Sequence, residues 1–396
     1  MNRKVSLGVT ISLVAVAVAI TAILTMTFSQ NLFNSLLSTT GTSRTELSEI
    51  ESYVQANYYK SVDDLDTQPY LSAAYIESIG DKYAVYYTAE KYAEKQLKES
   101  GYTTGIGIDY TEDESGYIRI TAIDEESDAY KAGSLVVGDI IVKIDDTDVL
   151  AAGYENASQL LTGTEGESVR ITIRREGVDT ELQFVKKKSE VKSVSHKMLS
   201  GYIGYIKISE FNMTTSGQVR DAVERLIADG ADQLIFDVRN CSDGIIESAE
   251  ESLNYILPQG SWATATFKDG HTQVIAKTDD TYSQDVPMAV IVNENTSYAA
   301  ELFAVVMRDS GKASLVGTNT AGVGVVKHTQ QMSTGSAVTI TVATYETKKT
   351  PCFDGVGIKP SFEVKLSKEE QESLAFLDEN SDPQLKKAID IVDTTL

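Results

Sequence analysis

The residues best placed to do chemistry lie in VIVNENTSYAAELFAVVMRDSGKASLVGTNTAGVGVV, Val290 to Val326. It reads as a buried strand, a tight turn, a helix, a second strand and a glycine-rich loop. That order places a nucleophile at a helix N-terminus and a base on a facing loop. The two positions hold Tyr298 and Val323. The frame of an enzyme is legible, and its reactive groups are absent from it.

Other chemistries find less support. Histidine is scarce, at His196, His271 and His328. No metal-ligand spacing and no phosphate loop occurs, so the sequence implies no metal and no cofactor. A net charge of −23 argues against nucleic acid or an anionic lipid surface as partner, because phosphate binding needs a basic footprint. The two cysteines, Cys241 and Cys352, are too few for a disulfide scaffold; one bridge or two free thiols are both open.

Five regions must position these residues. Arg3 and Lys4 precede an uncharged run from Val5 to Phe28, and the next charge is Arg44. A run of that length predicts a transmembrane signal anchor over residues 1–29 with the N-terminus in the cytoplasm. The protein is thus expected to be membrane-anchored, single-pass, with its bulk extracytoplasmic. Residues 30–97 read as a polar tether and charged helices, with Ile50, Tyr53, Val54, Tyr58 and Tyr59 near helical spacing as a face for packing or homodimerisation. Residues 98–190 form a small β-rich module with a hairpin around Gly177. From 191 to 366 strands and helices alternate, which predicts crossover units and a mostly parallel sheet. Residues 367–396 are an acidic, partly helical tail.

In order along the chain stand GDKYAVYY, ESGYTTGIGI, YKAGSLVVGDIIVKID, GYIGYIKISEF, LIFDVRN, VIVNENTSYAAELFA, SLVGTNTAGVG and VTITVATYETKKTPCFDGVGIKP. This ordered set resembles the carboxyl-terminal processing peptidases, bacterial serine proteases with a PDZ domain. The resemblance implies a multidomain α+β protein: an N-terminal transmembrane helix, a helical N-terminal region, a PDZ domain and an α/β serine-peptidase-like core. In that family a serine attacks and a lysine acts as base; the lysine must be desolvated, and backbone N–H groups must hold the oxyanion.

Carried over by position, the resemblance exposes three departures. The attacking serine stands three residues before a glutamate, here Glu301, so its position is Tyr298. The lysine of the T-x-G-K-G-like loop falls on Val323. The loop D-L-R-x-N-P-G-G reads DVRNCSDG, where Cys241, Ser242 and Asp243 depart from it and Gly244 is kept as the oxyanion-loop position. Ser297 with Lys327 is a weak fallback, since Lys327 lies about 13 Å from Val323 along a strand and its head is expected to reach solvent. A Ser297–His328–Asp243 set and a Cys241 nucleophile are weaker still.

The resemblance leaves the binding module intact. PDZ domains add a peptide C-terminus as a strand and hold its carboxylate on backbone N–H groups. Gly105, Ile106, Gly107 and Ile108 correspond to the carboxylate loop, and Ala157, Leu160 and Leu161 to the other wall of the groove. The expected function is a pseudo-peptidase that binds protein C-termini or unfolded segments as adaptor or regulator. The alternative is an active serine endopeptidase with a rearranged Ser/Lys site.

Overall fold

A computed structural model of the chain describes residues 42–62, 66–125, 127–279 and 283–393. The expected membrane segment, residues 1–29, lies outside them. Among the described residues no helix is long and apolar enough to cross a membrane. The first described helix, α1 (Thr42–Asn57), carries Arg44, Glu46, Glu49 and Glu51, charges that a hydrocarbon core would not admit. The fold class is corrected accordingly, to a helical N-terminal region, a PDZ module and an α/β core. The single-pass, extracytoplasmic placement that rested on the transmembrane helix is withdrawn with it.

The chain divides after Leu71 into two compact units. In the first, α1 leaves Ile50 and Tyr53 exposed, and Tyr58 and Tyr59 follow it on the surface. Helix α2 (Gln68–Ser78) runs across the division.

The second unit opens with β1 (Val85–Tyr87) and α3 (Ala89–Glu99), the latter capped by Thr88, whose side chain accepts from Lys91 N–H. The small module follows: β2 (Tyr102–Gly105), β3 (Ile108–Glu112), β4 (Ile118–Ile123), α4 (Asp128–Lys131), β5 (Ile140–Ile144), β6 (Thr147–Asp148), α5 (Val149–Ala152), α6 (Tyr154–Gln159), β7 (Ser168–Arg175), β8 (Val178–Val185) and β9 (Lys187–Glu190). Strands β3-β4-β5-β7-β8 form its sheet, with β6 on β5, and β2 pairs separately with β9. In β7, Val169, Ile171 and Ile173 alternate into the module's core, the period-two pattern of a half-buried strand. Its turn to β8 places Glu176 at φ 51° and Gly177 at φ 80°, the type I′ geometry that a two-residue hairpin prefers.

The core domain comprises β10 (Val194–Leu199), β11 (Ile203–Ile208), α7 (Thr215–Ala228), β12 (Gln233–Asp237), α8 (Ile246–Asn254), β13 (Gly260–Phe267), β14 (Thr272–Thr278), β15 (Met288–Val292), α9 (Ala299–Asp309), β16 (Ala313–Gly317), β17 (Val325–Gln331), β18 (Ala337–Thr347), β19 (Phe362–Glu363), α10 (Lys368–Glu372) and α11 (Pro383–Asp393). Its main sheet runs β10-β11-β12-β15-β16-β19, parallel from β11 onward. The central strands QLIFD and MAVIV are buried at every residue, as parallel strands covered on both faces must be. Helices α7, α8 and α9 fill one face.

The other face is covered by α11, which drives Leu385, Ala388 and Val392 against Ile203, Ile235, Ala289, Ile291 and Val316. The stretch expected as an acidic tail is therefore partly structural. Its apolar residues recur at i, i+3 and i+7, a helical stripe hidden in a run of charges.

A second sheet, β1-β18-β13-β14 with β17 on β18, faces the site. Asp81 accepts from both Thr341 N–H (2.8 Å) and Thr341 Oγ1 (3.0 Å), and so anchors the GDKYAVYY segment to β18.

Beneath the loop that follows β12, Arg239 is buried between two carboxylates, Asp237 (2.5 Å) and Asp382 (2.8 Å). Tyr205 Oη donates to Asp237 (2.6 Å), and Arg239 Nη1 donates to Gln384 (3.0 Å), so the network joins two strands to the start of α11. Burial alone would raise the Asp237 carboxyl, but Arg239 and Tyr205 override it and hold it below its ordinary 3.8. Removing Arg239 leaves two buried carboxylates without a cation. Arg239→Ala is expected to cost about 3–5 kcal/mol at pH 7, measured by urea unfolding. The variant's Asp237 carboxyl would then be raised rather than depressed, so the variant should regain stability from pH 7 towards pH 4. Wild type should not, and should lose stability below that range as Asp237 is protonated.

Candidate active site

The turn between β15 and α9 is held from several sides. Asn293 accepts from Asn240 N–H (3.0 Å) and donates back to Asn240 Oδ1 (2.8 Å). Thr296 Oγ1 donates to Val238 O (2.9 Å), and Ser297 N–H donates to Cys241 O (3.0 Å). The turn ends on Tyr298, at φ 53° and ψ −108°. An aromatic residue there carries about 1–3 kcal/mol of backbone strain, and such turns are the usual seat of a nucleophile.

Glu301, one turn into α9, is completely buried. One carboxylate oxygen accepts from Tyr298 N–H (3.0 Å) and Val323 N–H (2.8 Å). The other accepts from Gly322 N–H (2.8 Å) and Thr320 Oγ1 (2.5 Å). The charge is thereby paired with four donors, and the helix N-terminus is clamped to the glycine-rich loop. The loop is pressed in turn against the chain after β18. A Cβ on Gly322 would lie 2.7 Å from Gly357 N, and one on Gly324 2.7 Å from Asp354 N.

Tyr298 is buried, and its side chain fills the place that a shorter nucleophile would leave open. Its hydroxyl accepts from Lys327 N–H (3.3 Å), and the Lys327 ammonium lies 3.7 Å from the centre of its ring. Burial pushes the phenol well above its ordinary value, against the opposing Lys327 hydrogen bond, so it stays protonated at neutral pH. Val323, half-buried, packs as an apolar side chain against the core.

Lys327 does not reach for solvent. Strand β17 begins at Val325, and period-two alternation puts Lys327 on the same face as the buried Val325. Its ammonium binds Asp243 at 2.6 Å. Burial alone would raise the Asp243 carboxyl, but Lys327, with Lys95 and Lys98 of α3 nearby, holds it below its ordinary range. Lys95 itself pairs with Glu99. Opposite charges thus follow one another across the mouth of the cleft.

The remaining candidates are placed as follows. Ser297 Oγ accepts from Asp243 N–H (3.4 Å), and no hydrogen bond joins it to Lys327. His328 is exposed and bonds to neither Ser297 nor Asp243. Cys241 is buried, its thiol pushed up to about 12 by burial, which rules out a ready thiolate. Both cysteines are free. Gly244 stands at φ 103°, and a Cβ there would meet Phe211 O at 2.7 Å, so the loop's own packing demands glycine.

In the small module, Gly105, Ile106, Gly107 and Ile108 line a cavity of about 500 Å³ together with Leu161. The N–H groups of Ile106 and Gly107 donate to no group among the described residues. Gly107 has φ 76°, and a Cβ there would lie 2.3 Å from Ser127 Cβ; its glycine answers to the module itself. Ala157 is fully buried in the module's core and Leu160 is exposed, so of the three expected wall residues Leu161 alone lines the cavity.

Residues 202–364 match the model of Peptidase family S41, and residues 119–175 match a PDZ domain. A probable CtpA-like serine protease of Staphylococcus aureus (strain COL) is 26% identical over 363 residues, covering 90% of this chain and 73% of that protein. The chain belongs to peptidase family S41. A second family relative, the probable CtpA-like serine protease of Staphylococcus haemolyticus, is 27% identical over 365 residues, covering 91% and 73% of the two chains. The crystal structure of a putative S41 protease from Bacteroides fragilis shares the fold at a TM-score of 0.51, with 16% identity over 86% of this chain and 92% of that one.

Residue-by-residue carry-over missed the ion pair at the mouth. Its signal was available: Asp243, one of the departures, and Lys327 carry opposite charge. The Glu301 clamp also went unread, since the glutamate served only to mark register. Glu301→Gln would present an amide N–H₂ to donors that need an acceptor. It is expected to destabilise the fold by about 2–3 kcal/mol, checked by urea unfolding with the tyrosine signal.

Proposed function

We propose that this S41-family chain is a pseudo-peptidase that binds protein C-termini or unfolded segments through its PDZ domain and acts as adaptor or regulator. The observation that carries the reading is Tyr298. It occupies the family's nucleophile position as a buried, protonated phenol, with its hydroxyl and its ring face both engaged by Lys327. At the base position Val323 has no group that could accept a proton. In the oxyanion loop the Asp243 carboxylate brings negative charge where a developing oxyanion would have to be held. Binding is supported by the open N–H groups of Ile106 and Gly107 beside an apolar cavity, an arrangement that suits a terminal carboxylate.

The competing activity would run through Ser297 and Lys327. Incubation of the full chain with an unfolded protein bearing an apolar C-terminus should give no cleavage, in wild type or in Ser297→Ala. Turnover in wild type that disappears in S297A would establish the rearranged dyad and overturn the pseudo-peptidase reading. In parallel, a peptide with a free C-terminus should bind, and its C-terminal amide should bind at least about tenfold more weakly, since the charge-assisted hydrogen bonds are lost.

Self-association through the N-terminal helices is part of the same proposal. Its support is the exposed row Ile50, Tyr53, Tyr58 and Tyr59, at 52%, 70%, 51% and 80% of full exposure. Sedimentation velocity should show a dimer that dissociates in Tyr53→Ser/Tyr59→Ser; a monomeric wild type at tens of micromolar would refute it.

A further inference from the structure

Strand β3 is an edge strand, paired with β4 on one side and with no other strand of its sheet on the other. A peptide added along the free edge would project alternate side chains between β3 and α6. With its carboxylate on the N–H groups of Ile106 and Gly107, its last side chain enters the cavity beside Ile108 and Leu161. The third side chain from the end then falls one strand repeat further on, about 7 Å away.

That second place is filled by the protein. Tyr110 shares its strand face with Ile108, two residues before it, and the extra residue where the pairing with β4 shifts, Thr121, lies on β4. Tyr110 reaches α6, where its hydroxyl donates to Ser158 O at 3.4 Å. Its ring meets Tyr154 edge-on, with centroids 6.5 Å apart and planes at 69°. The cavity accordingly extends along β3 as far as Tyr110 and takes no lining residue from α6. A bulky side chain could enter only by breaking both the hydrogen bond and the ring contact.

We propose that Tyr110 determines the specificity of the PDZ site by excluding large side chains at the third position from the peptide's carboxyl end. The site thereby selects C-termini with glycine, alanine or serine there. This is selection by obstruction, in which the unwanted ligand is penalised and the wanted one gains no contact. It rests on the module being a binder of free C-termini.

The test uses the full chain and ten-residue fluorescent peptides ending X-Ala-Val, with X as Gly, Ala, Leu or Phe, followed by anisotropy. Wild type should bind the Gly and Ala peptides about tenfold more tightly than the Leu and Phe peptides. Tyr110→Ala should erase or invert that ratio, and Tyr110→Phe should keep most of it, because the ring is the obstacle. Tyr154→Ala, which removes the ring that Tyr110 leans on, should shift the ratio in the same direction and guards against a folding defect in the first variant. Equal binding of all four peptides by wild type, or a ratio unchanged in both alanine variants, would overturn the role of Tyr110 while leaving C-terminal binding in place. Failure of every peptide to bind wild type and variants alike would overturn both.

Discussion

A completely buried carboxylate can be tolerated only where donors surround it, and Glu301 draws its four from two places in the chain. Tyr298 N–H starts α9; Gly322 and Val323 N–H and the Thr320 hydroxyl belong to the glycine-rich loop. If any of them moved, an ionised group would be left uncompensated in the interior, at a cost of several kcal/mol. The relative position of the nucleophile turn and the base loop is therefore set by Glu301, independently of which side chains occupy positions 298 and 323. A scaffold built this way can lose its reactive groups and keep its shape. The strained φ of Tyr298 fits the same logic: its cost is offset by the hydrogen bonds that the helix start makes to Glu301.

The altered positions also fit one another. A tyrosine at 298 fills the cleft but leaves a π face turned to its mouth, and Lys327 lies over that face. A lysine that is mostly buried needs a countercharge, and Asp243 supplies it at 2.6 Å. Asp243 in turn gains from Lys327 the cation that holds its carboxyl below its ordinary range. Unrelated losses would leave cavities and unpaired charges. Tyr298, Lys327 and Asp243 leave neither, which favours a closed cleft over a damaged one.

Much of the frame was legible because it rests on local pattern: the buried runs of β12 and β15, the alternation of β7, and the Glu176-Gly177 turn. Positions 298 and 323 could be read by register against Glu301. What could not be read depends on the direction of side chains. Lys327 shares its strand face with Val325, but the spacing from Val323 alone does not tell that its ammonium lies against Tyr298 and Asp243. The amphipathic stripe of α11 was masked by the acidic residues around it, and Arg239 gave no hint in sequence of a partner at Asp382. In the PDZ module the resemblance supplies the loop residues, but Leu160 and Leu161 differ by one position and only Leu161 lines the cavity.

The backbone N–H groups of the two sites point to different fates. Around Tyr298 several are spoken for within the chain: Tyr298, Gly322 and Val323 by Glu301, Lys327 by the tyrosine hydroxyl, and Asp243 by Ser297, while those of Gly244 and Ala299 donate to no group among the described residues. A peptide carbonyl arriving at any of the first five would have to displace an existing partner. In the PDZ loop Ile106 and Gly107 keep theirs open beside a cavity, and water must satisfy them until a better acceptor arrives. Binding energy is gained where solvated donors receive a charged acceptor and is forfeited where bonds already made must break. On that ground the proposed capture of a terminal carboxylate is assigned to the PDZ loop, where two adjacent open donors lie beside an apolar cavity.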